Sequence, residues 1–423
     1  MSFIRRVSSG AAANVLNLFY VTAITGLTVP VLIHAWGVPL YGTWLMLTAI
    51  PTYLSLSDFG FATAATNEIA MSTARGDLAR ATSTLHSVWA LNLVACAIIV
   101  VVSGLAGFIM YAANFHREFA AVVPVLAAFS AACLLSRVVL GAYRGGGRYA
   151  TGTLMYDGLQ FCEGLLSLLV AFLGFKFLGV ALTLLAARAA STLISYMVLR
   201  KTIPHLSLGV SNASLAQLKE LLAPAFASMS IPIALALNMQ GVAVVLGAIV
   251  SPTATAALST TRTVSRVAVQ IISALNRALI PELSAASARG DHGAREKILR
   301  LNRLVLIAVA FPAAIAFIAI GGPLVSLWTS GRIVPPFPTV VALGLAMALH
   351  CIWFFGTNML SATNAHGRMA VGLLFASMLT VGLAYVGGHA YGINGVAFSI
   401  TLGELCNVVI FYVIQRRMKS TVG

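Results

Sequence analysis

The chain has 423 residues, of which 59% are apolar and only 9% charged, and its mean hydropathy is +0.94. Soluble domains carry about 25% charged residues, so these values exclude a soluble enzyme, a disordered protein and a secreted disulfide-rich domain. A polytopic helical membrane protein fits, because each spanning helix needs about 20 apolar residues. The net charge of +15 does not indicate nucleic-acid binding, since the basic residues lie mostly at the ends of apolar runs, beside lipid headgroups.

Apolar runs predict twelve membrane spans joined by short connections. The first run is about 20 residues long and is followed by further spans, so it is interpreted as span 1 and not as a signal peptide. In chain order, spans 1 to 12 are predicted at 11–33, 39–67, 86–112, 119–142, 153–174, 178–199, 221–249, 254–285, 302–322, 336–362, 369–388 and 392–414.

The positions of lysine and arginine predict the orientation of the chain in the membrane. Nineteen of them lie on the side of the N-terminus, against three on the opposite side, Arg117, Lys176 and Arg332. Because cytoplasmic connections carry the excess of basic residues, both termini are predicted to be cytoplasmic. An even number of spans agrees with this orientation.

Short motifs recur at nearly constant spacing and predict an internal duplication. The matched segments are Ala74–Asp77 with Ala288–Asp291 at an offset of 214, Gly147–Leu154 with Gly367–Leu374 at 220, and Gly179–Ala181 with Gly395–Ala397 at 216. With six spans each, the halves are parallel and related by an axis along the membrane normal. The predicted fold is an all-α polytopic membrane protein, with twelve transmembrane helices in two parallel six-helix lobes, 1–205 and 206–423, around a central cavity.

Catalytic and metal-binding motifs are missing from the sequence. It contains no P-loop and no His-Glu-x-x-His motif, and its five cysteines lie in apolar runs without disulfide or metal spacing. The chain is therefore predicted not to be an enzyme and to use no cofactor and no metal.

Span 8 carries three arginines within the membrane, Arg262, Arg266 and Arg277. At 100° per residue they share one face with Ser259 and Gln270, within about 80°. An arginine at the centre of a membrane helix costs about 2.5–3.5 kcal/mol on insertion scales, so this stripe must face protein or water. One interpretation is that the arginines pair with buried carboxylates and hold helices together. The other is a cationic lining for an anionic substrate, since guanidinium groups bind phosphate in a bidentate manner.

The clear intramembrane acids are Asp58, Asp157, Glu163 and Glu404. Asp58, in the cytoplasmic half of span 2, is predicted to be a counter-ion to a span 8 arginine or a protonatable coupling group. Arg188 and Glu404 occupy equivalent positions in the repeat, and one interpretation is that they form an ion pair.

Other polar and aromatic side chains are candidate contacts for sugar hydroxyls. Trp44 lies on a polar and aromatic stripe of span 2, and Asn238 lies in span 7. The alternative for the polar groups is bonding back to their own helix, which is common in membranes. His350 in span 10 is interpreted as a packing residue and not as a proton carrier.

Several stretches resemble one known family. Tyr41-Gly42-x-Trp44, Tyr53-Leu54-Ser-Leu-x-Asp58-Phe-Gly60-Phe and the end of span 8, Pro281-Glu282-Leu283-Ser284, are similar to the polysaccharide transporter family. This Wzx-type family belongs to the multidrug/oligosaccharidyl-lipid/polysaccharide exporter superfamily, and the resemblance covers nearly the whole chain. It implies a flippase that moves an undecaprenyl-diphosphate-linked oligosaccharide from the cytoplasmic to the periplasmic leaflet by alternating access.

The resulting hypothesis is a multi-pass flippase of the bacterial inner membrane that serves O-antigen, lipopolysaccharide or exopolysaccharide biosynthesis. Its expected partners are the lipid-linked oligosaccharide, membrane lipids, and the glycan polymerase and export machinery, with no nucleic acid. The predicted substrate-binding residues are Arg262, Arg266, Arg277, Gln270, Ser259, Asn238 and Trp44.

Two alternatives stay open. A multidrug cation antiporter of the same superfamily should line its cavity with acids, whereas the clearest stripe in this sequence is basic. A membrane-embedded glycan polymerase or ligase should carry a sizeable outer catalytic loop, whereas the first outer connection, 34–41, has no carboxylate.

The predicted orientation is tested by cysteine labelling in intact cells, in a chain whose native cysteines have been replaced. We expect a cysteine at Arg332 to react with an impermeant reagent added from outside, and a cysteine at Arg295 to react only after the cells are opened. The reverse pattern would overturn both the topology and the direction of transport.

Overall fold

The protein is described by a computed structural model. The described backbone covers 3–267, 269–270, 293, 296–297, 300, 304, 306–362 and 366–420, and within it the side chains of 3–15, 227, 230, 355–362, 366–368 and 417–420 are not described.

Every predicted span has helical residues in the described part of the chain, which contains no β-strand. The helices are Phe3–Leu47, Ala49–Leu54 and Phe61–Ala74 (spans 1 and 2), Leu78–Ala112 (span 3), Val122–Gly145 (span 4), Tyr149–Phe172 (span 5), Phe177–Thr202 (span 6), Leu215–Ala236, Leu237–Gly241 and Val242–Ile249 (span 7), 252–267 (span 8), Leu306–Ala310 and Phe311–Trp328 (span 9), Phe337–Ala362 (span 10), and His366–Ser420 (spans 11 and 12).

Nine of the described helical stretches are long and apolar enough to cross a membrane. Two of them contain two predicted spans each, Leu16–Leu54 and Met369–Arg416. Together the nine account for eleven predicted spans, and the helix 252–267 is the described part of the remaining one, span 8. The prediction of an all-α polytopic membrane protein is therefore confirmed.

Glycines with positive φ separate consecutive spans. Gly37 (φ 78°) lies between spans 1 and 2, and Gly392 (φ 57°) lies between spans 11 and 12. Gly174 (φ 93°) ends span 5 in the same way. Only glycine adopts this conformation without steric cost. Gly174 and Gly392 are 218 residues apart, which is within the range of offsets that the repeated motifs show. Equivalent linkers in the two halves therefore both contain a glycine with positive φ.

Span 2 is not the continuous helix that the sequence predicts over 39–67. The helix is interrupted at 55–60, where Phe59 and Gly60 both have positive φ. The Asp58 carboxylate accepts the backbone N–H groups of Gly60 and Ala62, each at 3.3 Å, and so caps the helix that follows. On the other side of the break, Arg137 donates to the carbonyl of Ser55 at 2.9 Å. A break at membrane depth needs such partners, because lipid offers no hydrogen bonds.

Two compact units are present: the first comprises 1–37 and 47–229, and the second comprises 38–46 and 230–423. The first is built around a core that includes Ile69, Leu85, Tyr143 and Leu199, and the second around a core that includes Leu246 and Leu343. These units differ from the lobes 1–205 and 206–423, whose boundary stays a prediction about the duplication.

A buried ion pair joins spans 5 and 6 inside the first unit. Arg188 Nε lies 2.8 Å from Glu163 Oε2, and Nη2 lies 2.9 Å from Oε1. Both side chains are at most 5% exposed, and the Arg188 guanidinium also lies 5.4 Å from the centre of the Tyr156 ring. The proposed pairing of Arg188 with Glu404 is therefore wrong. An acid on the adjacent helix of the same unit lies close enough to pair with the guanidinium and to accept one of its hydrogen bonds.

We expect Glu163→Gln to destabilise the protein by about 3–5 kcal/mol, because it leaves the buried Arg188 without its counter-charge. Replacing both residues with methionine should restore most of the loss. Thermal unfolding of the purified protein in detergent measures both effects. Glu296→Gln is the control: it breaks the exposed Arg300–Glu296 pair and should cost at most about 1 kcal/mol. A Glu163→Gln protein that melts like the wild type would contradict this account.

Candidate functional site

Span 8 begins at a capped turn and places its first two arginines deep in the membrane. The Ser251 hydroxyl accepts the N–H of Ala254 at 3.1 Å, and Pro252 occupies the first helical position, where its missing N–H costs nothing. Arg262 lies ten residues further on, about 15 Å along the helix, which is half of the roughly 30 Å hydrocarbon thickness. Arg262 is buried and Arg266 is partly buried.

Arg262 is held by an irregular turn of span 7. The segment Leu237–Gly241 is a π-helical turn, a geometry that changes the backbone hydrogen-bond register and is frequent at functional sites. The Arg262 guanidinium donates to the carbonyl oxygen of Asn238 at 2.9 Å through Nη1, and to the Asn238 side-chain oxygen through Nη2. The structure thus brings together Arg262 and Asn238, two of the residues that the sequence predicts to bind substrate.

Arg266 is bound much more weakly. Among the described residues, its Nη1 donates to the thioether sulfur of Met239 at 2.8 Å, and a thioether is a poor acceptor. Most of the hydrogen-bonding capacity of this guanidinium, which has five N–H donors, is therefore open to another acceptor.

Glu404 of span 12 supplies a carboxylate to the same site. Its Oε2 accepts the Trp353 indole N–H at 2.6 Å, and its Oε1 lies 3.2 Å from His350 Nδ1. The carboxylate interacts electrostatically with Arg262 and Arg266. Sequence reasoning identified Glu404 as an intramembrane acid and interpreted His350 as a packing residue, but it assigned neither to the site. The hydrophobic periodicity of a single helix does not show which other spans lie beside it, so the sequence did not reveal that spans 8, 10 and 12 adjoin.

A small cavity lies between these polar groups inside the second unit. About 30 Å³ of it is open to the centres of water molecules, which is room for roughly two waters. Its lining consists of Arg262, Ser265, Arg266, Val269, Leu343, Ala346, Met347, His350, Ile400 and Glu404. A group larger than about two waters, such as a sugar ring, does not fit in it.

The ionised groups around this cavity are not balanced. Among the described lining side chains, two guanidinium groups face a single carboxylate, so these cationic groups outnumber the anionic one. A buried charge without a full counter-charge is costly in a low-dielectric environment. The described part of this site therefore favours an anion.

Four other residues of the predicted site take different places. Ser259 and Gln270 are partly buried on span 8. Asp58 caps the second half of span 2, as described above, and Arg277 lies outside the described residues.

Trp44 is packed inside the second unit and is only 6% exposed. It belongs to the segment 38–46, whose backbone lies directly against the start of span 8: a side chain at Gly42 would collide with the carbonyl of Pro252. Gly247 of span 7 likewise leaves room only for the Met46 side chain. The Tyr41-Gly42-x-Trp44 motif therefore makes a close helix contact within this unit.

No protein-family model and no curated protein matches the chain. Solved structures do match it over most of its length. The inward-facing conformation of a multidrug resistance MATE family transporter of the MOP superfamily aligns over 94% of this chain and 95% of its own, with 17% identity and a TM-score of 0.76. The outward-facing conformation of such a transporter aligns over 98% and 94%, with 17% identity and a TM-score of 0.58.

A third structure is a MOP superfamily transporter from Pyrococcus furiosus, described with the words "reverse polarity of binding pocket suggests different function". It aligns over 99% of this chain and 94% of its own, with 16% identity and a TM-score of 0.59. The chain has the fold of these transporters. The fold prediction is thereby confirmed.

Proposed function

We propose that the protein is an alternating-access flippase of the bacterial inner membrane. Its substrate is an undecaprenyl-diphosphate-linked oligosaccharide, which it moves from the cytoplasmic to the periplasmic leaflet. The net positive site at mid-membrane depth, formed by Arg262, Arg266 and Glu404, is the observation that carries this proposal. A diphosphate offers several anionic oxygens, and guanidinium groups bind such oxygens with two parallel hydrogen bonds each.

The size of the cavity limits what this site does. Its roughly 30 Å³ is room for about two waters, so the site contacts only the charged oxygens of the diphosphate or of an acidic sugar substituent and leaves the rest of the glycan to other surfaces. Among the described residues Arg266 has only the Met239 sulfur as an acceptor, whereas Arg262 is already bound to Asn238. Arg266 therefore makes the direct contact, and Arg262 contributes its charge from the π-turn.

The fold supports transport as the activity. The aligned structures include inward-facing and outward-facing conformations of MOP superfamily transporters, the two states that alternating access requires. For the Pyrococcus furiosus protein, a reversed polarity of the binding pocket was taken to suggest a different function. By the same reasoning, the charge of the site in this protein indicates its class of substrate.

A multidrug cation antiporter is the second candidate. The aligned multidrug transporters favour it, and Glu404 is the group that would attract a cation in this site. Two arginines beside that carboxylate oppose the binding of a cation, because like charges repel strongly where water is excluded. The net charge therefore favours the anionic substrate.

The double variant Arg262→Gln/Arg266→Gln tests the proposed site. Each charge-assisted hydrogen bond contributes about 1.5–3 kcal/mol, so loss of both arginines should slow the flipping of a fluorescent undecaprenyl-diphosphate oligosaccharide in proteoliposomes by at least about tenfold. The Arg262→Lys/Arg266→Lys protein keeps the charge without the planar fork and should be intermediate.

Arg300→Gln is the control for this experiment, since it makes the same kind of substitution at an exposed position and should leave flipping unchanged. Size-exclusion chromatography establishes that each variant is folded and monodisperse. A folded double-glutamine protein that flips the substrate at the wild-type rate would refute the site.

Glu404→Gln separates the two candidate functions. The amide preserves an acceptor for the Trp353 N–H while removing the only negative charge among the described side chains that line the cavity. A site for an anion should then bind its substrate more tightly, with an apparent KM lowered about three- to tenfold, whereas a site for a cation should lose transport. Flipping of the lipid-linked oligosaccharide and uptake of ethidium, measured in the same proteoliposomes, distinguish the outcomes.

A further inference from the structure

The connection between spans 6 and 7, residues 203–214, is docked along the first turns of span 3. This segment, the strap, lies on the predicted cytoplasmic side and begins with Ile203 and Leu206, both buried in the core of the first unit. It faces a polar run of span 3, Thr82–Ser87, in which Leu85 is the one apolar residue.

Side chains of this polar run bind the strap at successive points. Thr82 Oγ1 donates to the carbonyl of His205 at 3.0 Å, and Ser83 Oγ donates to the carbonyl of Asn212 at 2.9 Å. At the far end, Ser87 Oγ accepts the N–H of Ser214 at 2.8 Å. These bonds run from one end of the strap to the other, so it is fixed as a unit and does not behave as a flexible tether.

His86 occupies the centre of this contact and uses both ring nitrogens. The Asn212 backbone N–H donates to Nδ1 at 3.2 Å, and Nε2 lies 3.0 Å from the carbonyl oxygen of Ser207. A carbonyl can only accept, so Nε2 carries the proton and Nδ1 carries none. The docked strap therefore requires a neutral imidazole with one specific tautomer.

The ring is enclosed by the strap. His86 is 4% exposed, and a side chain on Gly209 would come within 3.2 Å of the ring. A proton added to Nδ1 would face the Asn212 N–H, so one hydrogen bond would be lost and a charge would be buried against a donor.

The surrounding charged groups do not stabilise a protonated ring. Arg80, one and a half turns earlier on span 3, pairs with Glu68 of span 2 at 2.6 Å and with Glu220 of span 7 at 2.7 Å. Both of those carboxylates therefore bind Arg80. The nearest titratable side chain of the strap is His205, which is exposed.

We propose that His86 makes the docking of the strap 203–214 sensitive to protons. The neutral imidazole holds the strap against span 3, and protonation releases it together with the first turns of span 7. Histidine is suited to this role, because it changes charge between about pH 5 and 8. The proposal is independent of the substrate: it gives the cytoplasmic side of the protein a pH-dependent element at the junction between two consecutive spans.

Hydrogen–deuterium exchange of the full-length protein in detergent tests the proposal. The protein is held at about pH 7.5 or about pH 5 and given short deuterium pulses, with rates corrected for intrinsic exchange at each pH. We expect the amides of 207–214 to exchange at least tenfold faster at the lower pH, while amides in the middle of span 3 stay protected.

Three variants make the result specific to His86. His86→Gln keeps an acceptor and a donor but does not titrate, so the strap should stay protected at both pH values. His86→Lys carries a permanent charge and should expose the strap at both. His205→Gln removes the neighbouring histidine and should respond to pH like the wild type.

Two outcomes would overturn the proposal. One is equal protection of 207–214 in the wild type at both pH values. The other is a pH response in His86→Gln as large as in the wild type, which would assign the titration to a different group. Either result would refute the role of His86 without refuting the proposed transport function. Likewise, a negative result in the flipping experiments would not refute the proposal for the strap.

Discussion

The Arg262 guanidinium at mid-membrane depth is the constraint on which the second unit depends. A charged group there is tolerated only if the protein replaces the water it has lost. The structure does this with both oxygens of Asn238, and the π-turn at Leu237–Gly241 presents them to Arg262. The irregular helix, the polar face of span 8 and the position of Glu404 are all parts of the accommodation of this charge.

The two units treat buried charge in opposite ways. In the first unit Arg188 and Glu163 form a closed ion pair with one hydrogen bond, whose charges cancel. In the second unit Glu404 occupies the position that the repeat aligns with Arg188, yet it binds Trp353 and His350 and leaves the arginines in excess. The first arrangement neutralises its charges, and the second leaves an excess of positive charge among the described residues. The transport proposal depends on this asymmetry.

Much of the fold follows from the sequence, because hydropathy and charge position are properties of single segments. Each of the twelve predicted spans has helical residues in the described part of the chain. Arg262 and Asn238 were predicted separately as substrate-binding residues, and the structure places them in contact. The break in span 2 was missed because Asp58 and Arg137, which stabilise it, are remote in sequence and look like ordinary polar residues. The partners of Arg188 and Glu404 were missed because pairing depends on which spans adjoin, and the hydrophobic periodicity of one helix does not contain that information.

The central claim is that the site in the second unit is made for an anion. Equilibrium binding to the purified wild-type protein tests it most directly, by comparing a short-chain polyprenyl diphosphate glycan with the corresponding uncharged polyprenyl glycan and with ethidium. The account predicts that only the diphosphate compound binds, and that inorganic diphosphate competes with it. Binding of ethidium without binding of the diphosphate compound would contradict the account and identify the site as one for cations.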